Sequence, residues 1–439
     1  MCSLDLCRES IYGARFLKRG DAMPANVAEP PAPEPAQPRK HHQEMLASFK
    51  VPNFRRYVSG QSLSLIGTWV ETVAQALLIL RLSDSGTVLG LITAARYGPI
   101  LLLSPYAGLL IDRCDKRHLL VATQAGLGLV SAILGVSVLS GEIRLWQVVV
   151  LAVAFGTLSA IDNPARQAFV QEVVGHSLIR NAVTLNSISV NVARVIGPTI
   201  AAGLVSTVGI GWCFVVNAAS FVGVIASLLL LDAGRLYPVP TLSRARGQLR
   251  AGLRYAAAVP AISRPLIMMA FVGTFTFEFE VSLPLLARAI FHSETAYSWL
   301  IGALGAGAVA GGLVAVWSSR MGVQRLAKIA FCYAIAVGLV AAAPTLPFAV
   351  AACVLVGAAS ILFLTTGNAT VQLESDPAFR GRVTALWSMA LVGSTPIGSP
   401  IIGALSDMAS PRYALALGAV ACLAAALIGR RPGGAPSDR

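Results

Sequence analysis

Read for polarity alone, the chain alternates between long apolar runs and short polar breaks. Twelve runs stand out, at 57–80, 88–110, 118–140, 145–161, 183–206, 210–232, 266–287, 297–317, 326–343, 347–370, 383–405 and 411–429. Most of them reach the roughly 20 mainly apolar residues that an α-helix needs to cross a bilayer core. Gly and Pro recur inside them, as membrane helices tolerate. The pattern predicts an all-α integral membrane protein of twelve transmembrane helices, the fourth of them short. Residues 1–48 show no such periodicity and are Pro- and Ala-rich between Pro24 and Pro38, which predicts a disordered tail. No apolar segment follows the early arginines in the manner of a signal peptide.

The polar breaks divide the chain further. A basic connector at 233–264 separates a first group of six runs (49–232) from a second (265–430), and 431–439 forms a short polar tail. A weak internal repeat agrees with this division. At an offset of 201, Ser187 falls on Ser388, Gly197 on Gly398 and Leu204 on Leu405. Such parallel repeats are a known transporter architecture.

Composition adds the solvent. Hydrophobic residues make up 55% of the chain, charged residues 13%, and mean hydropathy is +0.70. That charged fraction is about half of what a soluble domain carries. The net charge of +13 does not signal nucleic acid, because the basic residues sit between apolar spans. With the N-terminus placed in the cytoplasm, 28 Lys/Arg fall on the inside. Only Arg81, Arg144, Arg288 and Arg412 fall outside. The positive-inside rule therefore predicts a multi-pass protein of the cell membrane with both termini cytoplasmic. The seven cysteines form no Cys-x-x-Cys pair, and no metal or cofactor is expected.

Five ionisable residues lie well inside the spans: Glu71, Arg96, Arg194, Glu278 and Glu280. Each costs about 2.5–3.5 kcal/mol at a helix centre on insertion scales, so a lipid-facing position is unfavourable and a cavity or an ion pair is expected. Ser64, Thr68, Glu71 and Gln75 form one stripe at helical spacing, and Thr184, Ser187, Asn191 and Arg194 form another. Thr93, Arg96 and Tyr97 add a shorter patch. On an unbroken helix Glu278 and Glu280 point about 200° apart. Glu278 then aligns with Thr274 and is the better cavity candidate. Two readings of Glu71 stand side by side: a proton- or substrate-handling group, or structural glue paired with Arg96 or Arg194. Trp69, Tyr97, Phe277 and Trp387 are candidate walls of an amphipathic site.

One break is unusual. Residues 107–120 read AGLLIDRCDKRHLL, with five charges in six residues. Gly108, Asp112, Arg113, Lys116 and Arg117 resemble the signature loop of the major facilitator superfamily. Plain topological anchoring explains Lys116 and Arg117 but not Asp112 followed by Arg113. The blocks NFRRYVSGQSLSLIGTWVETVAQALLIL, DNPARQAFVQEVV, NAVTLNSISVNVARVIGPTIAAGL and FRGRVTALWSMALVGSTPIGSPIIGALSD extend the likeness over about residues 50–430. They are similar to the branch of enterobactin exporters and transmembrane secretion effectors. Gly197, Pro198 and Gly203 resemble part of the antiporter motif, where proline and glycine let a helix bend. Span four lacks the arginine that many proton-coupled drug exporters carry.

The resemblance implies the major facilitator fold and alternating access between two six-helix halves. It implies export of a small amphipathic molecule, siderophore-like or another secreted metabolite, by proton-coupled antiport with Glu71 or Glu278 as carrier. It also implies that Asp112 sits beside the start of span eleven, near Val383, while Arg113 or Arg117 reaches Asp162. Multidrug or macrolide efflux and lysophospholipid transport are the alternatives. A transport-inactive receptor is the rival from another class. No enzyme is expected, since all five histidines lie in the tail or at span ends. Beyond the small-molecule substrate, protons and the lipid bilayer, no partner is implied.

Overall fold

A chain in hydrocarbon has no water to satisfy its peptide groups, so its apolar runs must close their hydrogen bonds internally as helices. The computed structural model describes residues 47–237, 248–316, 321–376 and 379–430. Among the described residues, twelve helical spans are long and apolar enough to cross a membrane, and there is no strand. Spans one to six are Pro52–Ser83, Gly86–Arg113, Lys116–Leu139, Leu145–Val174, Ile179–Thr207 and Gly211–Leu229. Spans seven to twelve are Pro260–Ala289, Glu294–Val316, Val323–Ala341, Leu346–Leu373, Arg380–Met408 and Pro411–Arg430. The loops after odd-numbered spans mark one end of the molecule, here the odd-loop end. The remaining loops mark the even-loop end.

The first six spans pack among themselves, as do the last six, and the two groups meet along two seams. Span two runs beside span eleven, and span five beside span eight. Glycine makes the first seam possible. Gly90 abuts the Ser399 carbonyl and Gly403 abuts the Gly86 carbonyl, so closely that a Cβ at either position would overlap backbone. Small residues at such crossings let helices touch through their main chains.

Several expected boundaries move. Span four does not stop at residue 161 but continues through Pro164 to Val174. Its polar continuation is amphipathic, and Phe169, Val170, Val173 and Val174 bury their side chains against Phe54, Tyr57 and Leu120. The tail expectation for 1–48 falls outside the described residues except at its edge. There Ala47–Lys50 form a short helical turn, and the Ser48 amide donates to Asn181 Oδ1 at 3.1 Å. Within the connector, Gln248–Ala258 form a helix and span seven begins at Pro260. Residues 431–439 lie outside the described residues.

Spans seven and eleven are each interrupted. Span seven consists of Pro260–Phe275 and Phe279–Ala289, and span eleven of Arg380–Val392 and Thr395–Met408. In span eleven the sequence Gly393-Ser-Thr-Pro396 explains the break, because proline lacks an N–H and crowds the carbonyl four residues earlier. In span seven the residues Thr274–Glu280 alternate polar and apolar with a period of two, which is a poor helical pattern.

Candidate functional site

The break in span seven decides which acid faces the centre. Phe279 opens a new helix with Glu278 at its N-cap position, so the 200° separation expected of an unbroken helix does not apply. Glu280 and not Glu278 turns toward the first half. The Tyr97 hydroxyl donates to both Glu280 oxygens, at 3.1 and 3.2 Å. Glu280 also lines a cavity of about 20 Å³, room for roughly one water, together with Thr72, Gln75, Thr93 and Arg96. Arg96 donates to the Gln75 side-chain oxygen and lies 4.2 Å over the Phe155 ring. The expectation that Glu278 is the better-placed acid is therefore corrected. The period-two pattern TFTFEFE was the signal that could have found Glu280.

Glu278 is buried against span eleven. Ser399 Oγ donates to one of its oxygens at 2.5 Å, and the other has no hydrogen-bond partner. Glu71 is also buried, and it is not paired with Arg96 or Arg194. Ser131 Oγ donates to it at 2.5 Å from span three and Asn217 Nδ2 at 2.6 Å from span six. The stripe on span one thus serves two neighbours. A step of four residues advances about 40° around a helix, enough to turn Glu71 toward spans three and six and Gln75 toward span two.

Arg194, from the second stripe, has no carboxylate bonded to it. Its guanidinium lies 5.0 Å from the centre of the Trp69 ring, and its Nε is buried without a partner. Other expected cavity residues are satisfied within their own helices. Thr68 donates to the Ser64 carbonyl and Asn191 to the Ser187 carbonyl, each at 2.9 Å. Of the aromatic candidates, Trp387 is buried against Gly367, and Phe277 meets Tyr333 edge-on at 6.0 Å. Gly197 packs on Trp69 of span one, Pro198 lies within a continuous helix, and Gly203 meets no neighbour within 4 Å.

At the even-loop end, the charged loop serves its own half. Lys116 pairs with Glu172 at 2.5 Å, and Arg117 donates to the Leu228 and Leu229 carbonyls at the end of span six, each at 2.8 Å. A cation at a helix C-terminus meets both free carbonyls and the negative end of the dipole. Arg117 therefore does not reach Asp162, and Arg113 is exposed. Asp162 is fully buried and accepts from Thr123 and Gln124, each at 2.8 Å, and from Arg166 one helical turn later. The closer partner displaced the expected one because span four is still helical there. Asp115 caps span three by accepting from the His118 amide at 2.9 Å, and that bond holds its carboxyl below the usual range. Gly108 is buried, and the Asp112 side chain lies outside the described residues.

The odd-loop end carries a contact that the sequence reading missed. Asp407, in the last turn of span eleven, accepts from the Gly86 and Thr87 amides at 2.6 and 2.8 Å. The Thr87 and Ser85 hydroxyls add two more bonds at 2.7 Å. Nearby, Arg288 pairs with Asp84 at 2.8 Å and Arg81 with Glu294 at 2.5 Å. An aspartate at its own helix C-terminus opposes that helix's dipole. That misplacement was the available signal: Asp407 caps a different helix, in the other half.

The comparisons with known proteins fit this architecture. The family described as transmembrane secretion effector matches residues 43–433. The chain belongs to that family, a branch of the major facilitator superfamily. It is similar to an enterobactin exporter of Shigella flexneri, with 26% identity over 83% of this chain and 86% of the relative. It is also similar to a staphyloferrin A transporter of Staphylococcus aureus, with 30% identity over 42% of this chain and 49% of the relative. That second match spans about half the relative's length. A D-xylose–proton symporter shares the fold at a TM-score of 0.66 and 13% identity, over 85% of this chain and 98% of the other. A bacterial homologue of the lysosomal transporter Spinster does so at 0.62 and 16%, over 89% and 95%. As a member of the secretion effector family the chain is a multi-pass membrane transporter and not an enzyme.

Proposed function

We propose that this transporter exports a small amphipathic metabolite, siderophore-like in class, by proton-coupled alternating access in the cell membrane. The even-loop end is cytoplasmic in this reading, and the structure represents the state open to that side. One observation carries it. The named polar links between the two halves, from Asp407, Arg288, Arg81 and Tyr97, lie at the odd-loop end or at mid-span. The charged loop at the other end instead bonds within its own half. The export direction and cargo class rest on the similar enterobactin exporter.

Coupling needs a proton carrier that senses the state of the halves. Glu71 and Ser131–Asn217 belong to one half, and Glu278 and Ser399 to the other. Glu280 differs because its partner Tyr97 stands across the seam. A proton on Glu280 weakens that charge-assisted bond and frees the halves to rock. One charge crossing 100 mV supplies about 2.3 kcal/mol, enough for roughly a 50-fold gradient.

Vesicle transport by Glu280→Gln, Glu278→Gln and Glu71→Gln tests this. Glu280→Gln is expected to lose gradient-driven export at least tenfold while keeping exchange of cargo at equilibrium. Full driven export by Glu280→Gln, with collapse in Glu71→Gln or Glu278→Gln, would return the carrier role to the buried acids. Orientation is tested separately with a variant retaining only Cys114, which is exposed in the even-loop turn. It should react with an impermeant maleimide from the cytoplasmic face alone.

A further inference from the structure

The ionisable groups at membrane depth do not balance around the centre. Glu71 and Glu278 are buried and held by neutral donors in their own halves. Glu280 is left as the acid beside two guanidiniums, Arg96 and Arg194. Arg96 is buried, satisfied by Gln75 and covered by Phe155. Arg194 keeps some exposure, as do Trp69, Tyr97 and Glu280. Its buried Nε has no partner, and no hydrogen bond or ion pair joins it to a described residue. The hydroxyl of Tyr333, itself fully buried and without a partner, lies within electrostatic reach of the same guanidinium.

An unpaired guanidinium at this depth is expensive to keep. Arginine cannot shed its proton to lower that cost. The Trp69 ring beneath it offsets part of that cost but supplies no acceptor for its N–H groups. The N–H edge remains for a ligand. A planar oxyanion fits that edge because two parallel N–H···O bonds can form at once.

We infer that Arg194 and Trp69 form the anchoring subsite for a planar oxyanion on the cargo, a carboxylate. The inference rests on the export reading and narrows it: the cargo enters this site as an anion with a flat delocalised group. Trp69 then supports the cargo's adjacent apolar or aromatic part. Glu280 is the resident carboxyl group that the oxyanion joins, and the permanent charges of Arg96 and Arg194 accommodate a second anion.

Equilibrium dialysis of the purified full-length protein against 2,3-dihydroxybenzoate and the uncharged, shape-matched 2,3-dihydroxybenzamide tests this. The wild type is expected to hold the carboxylate at least tenfold more tightly, the order of one charge-assisted hydrogen-bond pair. Arg194→Gln should abolish that preference, and Arg194→Lys should keep part of it, since the charge stays and the fork is lost. Trp69→Leu should weaken both probes alike. Thermal unfolding of each variant checks that it is folded, and the graded lysine result decides if the glutamine variant is not. Equal affinities, no binding of the carboxylate to the wild type, or a preference surviving Arg194→Gln would each overturn the inference. Failure of the export reading shows differently. Intact anion preference with no metabolite moved by wild-type vesicles removes transport alone, and export of an uncharged cargo without anion preference removes the subsite alone.

Discussion

The two ends of the molecule use the same ingredients for opposite purposes. At the odd-loop end a carboxylate meets a helix N-terminus across the seam, Asp407 of span eleven capping span two. At the even-loop end a guanidinium meets a helix C-terminus within one half, Arg117 closing span six. Both contacts satisfy orphan backbone groups and set a charge at a helix end of opposite partial charge. The first ties two bodies together, while the second makes one body rigid. A rocking transporter needs both: stiff halves, and a link between them that can be made and broken.

This contrast is open to attack by substitution. The largest effect is expected within a half. Asp162→Ala leaves the half-buried Arg166 without its carboxylate, removes the acceptor of the Gln124 amide and leaves Thr123 only the Leu120 carbonyl. Removing one partner of a buried pair costs about 3–5 kcal/mol. A melting curve in detergent should show a marked loss of stability, and an unchanged curve would deny Asp162 its structural role. Next comes the link itself. Asp407→Asn removes a charged cap that is exposed to solvent, worth about 1–2 kcal/mol. Stability should stay near normal while the ratio of odd-closed to odd-open protein falls roughly 5- to 30-fold. Cysteine accessibility at the odd-loop end measures that ratio. The smallest effect belongs to Arg81→Ala, whose pair with Glu294 is substantially exposed. Surface pairs contribute about 1 kcal/mol or less, so transport should change by no more than a few-fold.

Asp112 sharpens the comparison from the other side. It ends span two as Asp407 ends span eleven, and the family resemblance sets it beside the start of span eleven. Asp112→Asn should therefore shift the balance opposite to Asp407→Asn, raising accessibility at the even-loop end and leaving the odd-loop end closed. Equal shifts in one direction from both variants would dissolve the symmetry.

Much of the architecture was written in polarity alone. Apolar runs give spans because hydrocarbon leaves the backbone no other solution. What escaped was local. Periodicity placed Glu278 ahead of Glu280 only by assuming that span seven is one helix. The helix stops at Phe275 and restarts at Phe279, and the phase is lost between them. Similarly, the stripe from Ser64 to Gln75 records which residues share a side of span one. It does not record that Asn217 and Ser131 wait on one edge and Arg96 on the other. Asp407 was visible in the sequence, but its meaning depends on a partner more than 300 residues away, Gly86. Long-range partners of this kind are fixed by packing, which a single sequence does not display.

In the proposed cycle the two ends close in turn, with the structure closed at the odd-loop end. The direct measurement is a pair of spin-label distances in one protein. Labels at Leu91 and Ile401 report the odd-loop side of spans two and eleven, and labels at Leu110 and Ala385 report the even-loop side. All four positions are exposed. Without a gradient, the first pair should be short and narrowly distributed and the second long. Imposing an outward cargo load with an inward proton gradient should lengthen the first and shorten the second in equal proportion of molecules. Distances that lengthen together, or a second pair that stays fixed while cargo is exported, would contradict alternating closure.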